Sequence, residues 1–319
     1  MTYWSISSSV LTEEAKKLWL EVEIISKEKN LFYIKWNWKE IMFKSTDFWV
    51  NSSVWLKISD DKELTYKILE KYNFPIAKTW YILPEELNNI TKMDITFPVI
   101  IKPLEEWHGN WVMMDIINLT ELKQKLMQSF DIYNKMIIQS QIKWEEYRVL
   151  ILDWNVIIAI NRANPTIVGN WINTIKDLIT IENKTNILRW EWYKSPLSYI
   201  KVDNELYDYI EKQWMNVETI PKKWECLMLR WNSNVWTGWT IIDVTNKINK
   251  ETKEICILAV KSLGLEFAGI DIITTDITKP LHQTWWIILE INPTPWIWWD
   301  KELTKINTWK IILEHLFFT

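Results

Sequence analysis

The chain has 319 residues, 48% of them hydrophobic, enough to bury a large core in one or two domains with subdomains. A formal net charge of -4 with mixed signs gives a nucleic-acid or membrane-surface role no electrostatic support, and Cys226 and Cys256 are too few for a disulfide framework and lack metal-ligand spacing. No apolar run approaches a membrane span, and residues 1–20 lack a charged segment followed by an apolar one, so a cytoplasmic, reduced protein is expected.

The first 53 residues predict a helix over 12–20 and two strands, 31–35 and 39–44, joined by Trp36-Asn37-Trp38: a small α/β cap without chemistry of its own. A hairpin turn of that length needs φ > 0 and normally carries Asn-Gly or Asp-Gly, and Asp153-Trp154-Asn155 poses the same problem between two later strands. The composition is abnormal in the same direction. There are 25 Trp and only 5 Gly, whereas glycine alone normally makes up about 7% of a chain. The tryptophans follow neither a repeat period nor a helical or strand stripe, which weighs against an aromatic-lined binding module. The expectation is that many of them are glycine in the living cell, encoded by UGA codons that the organism reads as Gly.

Asp60 is expected to open a helix, with Glu63 three residues on as in a capping box and Leu64, Ile68, Leu69 and Tyr72 as its apolar face. Lys62 falls in the first turn, where a cation opposes the helix dipole but would be useful to a phosphate. Phe97-Pro-Val-Ile-Ile-Lys102-Pro103 reads as a strand ending in a lysine, followed at once by Glu105-Glu106-Trp107-His108-Gly109-Asn110-Trp111. With glycine at 107 and 111 this is a glycine-rich loop whose N–H groups can close on phosphate oxygens; as written, two indoles would block that approach, and a plain hairpin is the alternative.

Residues 118–130 predict an amphipathic helix with Leu122, Leu126 and Met127 inward, 135–139 a strand, and 146–152 with 156–162 a hairpin. Gly169-Asn170-Trp171 precedes a short helix over 174–181, and helices follow over 203–213 and 250–263, the latter stopped by Gly264. Residues 230–239 form a polar loop between them. P-loop, Rossmann and zinc signatures are absent.

The stretch 267–300 concentrates the chemistry. Phe267-Ala-Gly-Ile-Asp-Ile-Ile273 reads as a buried strand with one carboxylate, Asp271, and Trp286-Ile-Ile-Leu-Glu-Ile-Asn292 as a second strand with Glu290 and Asn292 on one face. Buried carboxylates must be paired or hold a metal, and two anionic oxygen ligands plus one neutral one suit Mg²⁺. Pro293-Thr294-Pro295 is a rigid exit that fixes the polar end of the strand. The alternative is that Asp271 and Glu290 are edge residues facing solvent.

Together the lysine strand and its loop, residues 139–148, and Asp271 with Glu290-Ile-Asn292 resemble the nucleotide and metal motifs of the ATP-grasp ligases. Within that family, Glu146-Tyr-Arg148, Val168-Gly-Asn-Trp171, Leu229-Arg-Trp-Asn-Ser-Asn234 with Thr237-Gly-Trp239, and Lys279-Pro-Leu-His-Gln-Thr-Trp-Trp-Ile-Ile-Leu-Glu290 are most similar to the ATP-grasp domain of the cyanophycin synthetases. That of the bifunctional glutathione synthetases comes next. The resemblance spans roughly residues 58–319, and Trp107, Trp111, Trp144, Trp171, Trp239, Trp285 and Trp286 stand where that family has glycine.

The resemblance implies an α/β (α+β) ATP-grasp fold in which two α+β subdomains enclose an ATP cleft: a cap over 1–57, then an ATP-grasp domain over 58–319 with a central lid subdomain near 74–141 and a metal-binding subdomain near 142–319. It further implies ATP and Mg²⁺, two ions with Mn²⁺ an acceptable substitute. Lys62, Lys102, Glu106, Trp107, His108, Gly109 and Trp111 would contact or cover the phosphates, His108 otherwise being a surface residue. Gln139, where Glu is common, would face the adenine amino group, Ile142 would meet the ring through its backbone, and Glu146 would hold the ribose. Asp271, Glu290 and Asn292 would bind the metal; Arg148, Arg162 and Arg230 would bind the substrate carboxylate or the transferring phosphoryl group.

The implied reaction is ATP-dependent joining of a carboxylate to an amine, on small-molecule or peptide substrates, through an acyl phosphate. The cyanophycin-synthetase type leads, and the alternatives are a glutathione-synthetase type or a non-catalytic binding protein with a degenerate ATP-grasp fold. Neither a nucleic acid nor a membrane is an expected partner, and a homo-oligomer is compatible with this reading. The cyanophycin synthetases continue into a second ligase domain with a P-loop; none follows here, so one kind of ligation is expected rather than the complete Asp/Arg polymer.

Overall fold

The computed structural model describes residues 4–104, 112–190, 197–231, 238–295, 297 and 300–319. The first part of the chain comprises α1 (Ile6–Lys17), β1 (Glu21–Ser26), β2 (Leu31–Trp36) and β3 (Lys39–Lys44), the three strands forming an antiparallel sheet in that order. Helix α1 starts earlier than the periodicity predicts because the Ser5 hydroxyl caps it, accepting from Ser8 N at 3.1 Å. It ends at Leu18, with Trp19 beyond it at φ 62°.

Next come α2 (Ser53–Asp60) and α3 (Lys62–Lys71). The cap of α3 is Asp61 rather than Asp60: its carboxylate accepts from Glu63 N and Leu64 N at 2.9 and 3.1 Å. Glu63 does not close a capping box but binds Lys67 and Lys135. The buried face of α3 is Thr65, Tyr66 and Leu69, while Leu64 and Tyr72 are exposed. The apolar residues alone misplaced that face, because a threonine and a tyrosine with internal hydrogen-bond partners took the inner positions.

A four-stranded antiparallel sheet of order β4-β7-β5-β6 is built from β4 (Thr79–Ile82), β5 (Val99–Pro103), β6 (Met113–Ile116) and β7 (Met136–Ser140). It packs on α4 (Leu119–Phe130) and on the 3₁₀ segment Pro84–Lys92 around Ile82, Ile101, Leu122, Leu126 and Ile138. Met127, expected inward, is exposed.

The central element is a five-stranded antiparallel sheet. After β8 (Glu145–Leu152) and β9 (Asn155–Ala163) come β10 (Thr166–Val168), α5 (Ile175–Thr185), β11 (Arg189–Trp190), β12 (Leu197–Ser198), α6 (Asn204–Glu211) and β13 (Cys226–Met228). Then follow β14 (Thr240–Asp243), α7 (Lys250–Ser262), β15 (Phe267–Thr274), β16 (Trp286–Asn292), α8 (Asp300–Thr304) and α9 (Thr308–Phe318). The sheet order is β14-β9-β8-β15-β16; β10 pairs with β13 and β11 with β12 in two small sheets.

Strand alternation gives this sheet two apolar faces. Val149, Ile151, Ile270 and Ile272 pack under α7 and α3, while Leu150, Leu152, Ile158 and Phe267 join Phe32, Phe43 and the helices α1 and α9 in one core. All eight residues of β15 are buried, as its continuous apolar run predicts. The register between β15 and β16 runs Gly269↔Asn292, Ile270↔Ile291, Asp271↔Glu290 and then Ile272↔Ile288, so Leu289 is the extra residue of a β-bulge.

Candidate functional site

Directly opposed residues of an antiparallel pair share a face, and here the register sets a polar row at one end of the central sheet. Asp271 on β15 lies opposite Arg148 on β8 and Glu290 on β16, and Arg162 extends the row on β9. The Asp271 carboxylate, 1% exposed, receives Arg148 in a fork: Nε to Oδ1 at 2.7 Å and Nη2 to Oδ2 at 2.6 Å. Arg162 Nη1 donates to Asp271 Oδ2 at 3.3 Å and to Glu146 Oε1 at 2.6 Å, and Asn292 Nδ2 donates to Asp271 Oδ2 at 3.3 Å. Burial by itself would push the Asp271 carboxyl up; the Arg148 and Arg162 charges outweigh it and hold the group below the ordinary carboxylate value. Burial likewise opposes the charge on Arg162, and Asp271 and Glu146 more than restore it.

The donor set of Asp271, Glu290 and Asn292 is all oxygen, two carboxylates and an amide, which is the chemistry of a hard divalent cation such as Mg²⁺. Asp271 Oδ1 accepts from Arg148 Nε, which leaves that oxygen a second lone pair, and Glu290 is only half-buried. The residues therefore fit a metal completed by water and phosphate oxygens. Among the described residues there is no group of three or more His, Cys, Asp or Glu side chains able to hold an ion by themselves.

A cleft beside this row is lined by Ser59, Lys62, Thr65, Tyr66, Lys102, Glu290 and Ile291. It brings the two lysines to the same opening as Glu290. Lys102, at the end of β5, reaches a diagonal neighbour on β7: its Nζ donates to Gln139 Oε1 at 3.1 Å. Burial lowers the Lys102 amine below its ordinary value, with Glu290 and Glu146 pulling the other way. Gln139 is itself buried, and its Nε2 donates to Tyr66 Oη at 3.1 Å and Thr79 Oγ1 at 3.0 Å.

Arg230, expected with the other two arginines, is instead engaged elsewhere. It is fully buried and donates to Asp203, Glu205 and the Lys201 carbonyl at the start of α6. Ile142 packs beside Ala77, Ile273 and Ile287. Glu106, Trp107, His108, Gly109 and Trp111 lie outside the described residues. Sequence reasoning missed Ser59, Thr65 and Tyr66 as cleft residues. The available signal was helical spacing, since Thr65 and Tyr66 follow Lys62 by three and four positions.

Residues 59–168 match the family model described as the RimK-like ATP-grasp domain, and the architecture is the ATP-grasp fold. The chain resembles the crystal structure of a bifunctional glutathione synthetase from Pasteurella multocida with a TM-score of 0.73 and 20% identity, over 99% of this chain and 43% of that one. It is thus similar in fold to the ATP-grasp ligases. Among curated relatives it is 29% identical over 241 residues to cyanophycin synthetase of Trichormus variabilis and 30% identical over 247 residues to that of Crocosphaera subtropica, each alignment taking 75% of this chain. It is 25% identical over 305 residues, 91% of its length, to the glutathione biosynthesis bifunctional protein of Clostridium perfringens. The chain spans 27%, 28% and 38% of the lengths of these three relatives. No described helix is long and apolar enough to cross a membrane.

Proposed function

We propose that the chain is an ATP-dependent carboxylate–amine ligase, of the cyanophycin-synthetase type before the glutathione-synthetase type. The observation that supports this most directly is the convergence of Lys62, Lys102 and Glu290 on one cleft beside the Asp271–Arg148–Arg162 row. A substrate carboxylate oxygen attacks the γ-phosphorus of ATP, the bond to ADP breaks, and an acyl phosphate results. The amine then forms the C–N bond, inorganic phosphate leaves, and the ammonium proton passes to solvent. No side-chain nucleophile is required, so positioning and charge stabilisation carry the catalysis.

Asp271, Glu290 and Asn292 would hold Mg²⁺, whose bound charge offsets that of the β- and γ-phosphates. Lys62 and Lys102 line the same cleft as Glu290 and would meet the phosphates there. Arg148 and Arg162 keep Asp271 ionised and sit where a guanidinium can turn to a carboxylate or phosphoryl oxygen. Glu146 on Arg162, and Gln139 on Lys102, border the space proposed for the ribose and adenine. The central subdomain near 74–141 and the carboxyl-terminal part from 142 would be the two jaws.

The test uses two forms of the chain, one with tryptophan and one with glycine at 107 and 111. With hydroxylamine present, the active form converts a suitable amino acid or short peptide to a hydroxamate and releases ADP only when the carboxylate is supplied. Glycine at 107 and 111 frees the loop backbone to aim N–H groups at phosphate, so that form is expected to be the active one. If neither form binds ATP or yields a hydroxamate across the panel, the ligase reading gives way to a non-catalytic binding protein.

A further inference from the structure

The hydroxyls that surround Gln139 fix how its side-chain amide lies. Tyr66 Oη donates its proton to the Leu289 carbonyl at 2.6 Å, and Thr79 Oγ1 donates to the Ala77 carbonyl at 2.7 Å. Both hydroxyl protons are therefore committed to backbone oxygens, and toward Gln139 both oxygens can only accept. That fixes the amide: Nε2 must face the hydroxyls and Oε1 must face Lys102, as observed. The Leu289 carbonyl belongs to the bulge in β16 immediately before Glu290, so one hydrogen-bonded chain runs from the bulge through Tyr66 and Gln139 to Lys102.

Resting on the ligase reading above, we propose that Tyr66 and Thr79 are positioning residues that select an amide at 139, so that Lys102 is held by a neutral acceptor and takes its counter-charge from a nucleotide polyphosphate. A carboxylate at 139 would face two acceptor oxygens and would neutralise Lys102 in advance. The site then discriminates between a polyphosphate and an uncharged nucleoside, and the discrimination is set by the hydroxyls that hold the Gln139 amide.

Dissociation constants of ATP and of adenosine are measured by calorimetry on whichever form of the chain binds ATP, alongside thermal midpoints. Gln139→Glu should weaken ATP about tenfold more than it weakens adenosine, the scale of one charge-assisted contact. Tyr66→Phe should weaken ATP less, and should have no effect on ATP affinity once Lys102→Met is present. The double variant Tyr66→Phe/Gln139→Glu should regain part of the thermal midpoint that Gln139→Glu loses, because one of the two opposing oxygens is gone. If Gln139→Glu binds ATP as tightly as the parent, or Tyr66→Phe weakens ATP equally with and without Lys102, the inference fails while the ligase reading stands. If neither form of the parent binds ATP, both fail together.

A second inference rests on backbone conformation alone. Trp19, Trp49, Trp154, Trp171, Trp214 and Trp224 have φ between 58° and 68°, the left-handed region that a bulky L-residue avoids. Two of them end helices in the same way. After α1, Trp19 N binds Lys16 O and Leu20 N binds Ala15 O, both at 3.0 Å; near α6, Trp214 N binds Glu211 O at 2.9 Å and Met215 N binds Ile210 O at 3.1 Å. This paired closure is the one that Gly264 makes after α7 and Asn73 after α3, and glycine is its usual residue. The Trp19 and Trp214 side chains are 86% and 98% exposed, so neither indole repays the strain by packing.

We infer that these six positions are glycine in the protein as its own cells make it, through UGA codons read as glycine. Trp309 is the contrast: it is buried and its Nε1 donates to the Ile297 carbonyl at 2.7 Å, so it is a true tryptophan. Peptide mass spectrometry of the native protein should give glycine masses at the six positions and a tryptophan mass at 309, with TGA and TGG codons respectively. In a conventional host, Trp19→Gly with Trp214→Gly should raise the thermal midpoint by roughly 2 °C, and Trp309→Gly should lower it. Tryptophan masses at the six positions would overturn the inference.

Discussion

At the scale of single residues, the two guanidiniums on Asp271 divide the variants of the proposed metal site into two kinds. Glu290→Gln keeps shape and, with Glu290 half-buried and outside the Arg148 fork, should lower Mg²⁺-dependent ATP turnover by orders of magnitude at nearly unchanged denaturation midpoint. Asp271→Asn is not so clean. It leaves Arg148 and Arg162 facing a neutral amide in a buried site, and losing one partner of such a pair costs about 3–5 kcal/mol. Denaturant titration should therefore separate the two variants even if turnover does not. Equal stabilities would show that the guanidiniums find other partners.

At the scale of elements, α3 deserves the next experiment because it carries Lys62 and Tyr66 on neighbouring turns and is anchored by one carboxylate. Asp61→Ala should cost about 1 kcal/mol, the usual loss of an N-cap, and should weaken nucleotide binding as well, since the first turn presents Lys62 to the cleft. Asp61→Asn retains the accepting oxygen and should restore most of both. Loss of stability with unchanged nucleotide affinity would place the phosphate contact elsewhere. The bulge at Leu289 matters at the same scale: it brings Ile288 and Ile291 to the α7 face of the sheet while Glu290 stays opposite Asp271.

For the whole molecule, the pH dependence follows from which groups are shifted and in which direction. The Asp271 carboxyl is held below its ordinary 3.8, so its contribution to stability is complete above that pH and disappears as the pH falls through the lower folded value. Asp271→Asn should accordingly flatten the acid limb of a stability–pH curve below about pH 4. Lys102 acts in the opposite region. Its amine is lowered from 10.5 by burial, so the unfolded chain holds that proton more tightly and the Lys102 contribution grows more favourable as pH rises toward 10.5. ATP affinity should fall over the same alkaline range, because binding needs the protonated amine. A Lys102→Met chain lacking both trends would assign them.

Much of this molecule follows from local patterns. The apolar run at 267–273, broken only by Asp271, read as a buried strand, and the alternation in 286–292 put Glu290 and Asn292 on one face, because side chains in a strand alternate whatever surrounds them. The Asp153-Trp154 turn and the helix end at Gly264 were equally readable, since the backbone angles they need are set by covalent sterics. Tertiary structure decided the partners. Whether Arg148, Arg162 or Arg230 meets Asp271 depends on strand register across more than a hundred residues, and Arg230 was drawn instead to Asp203 and Glu205. The inner face of α3 was likewise settled at a distance, by the bulge carbonyl of Leu289 and the amide of Gln139, which make a buried tyrosine hydroxyl favourable where the sequence offered only a polar residue on a helix.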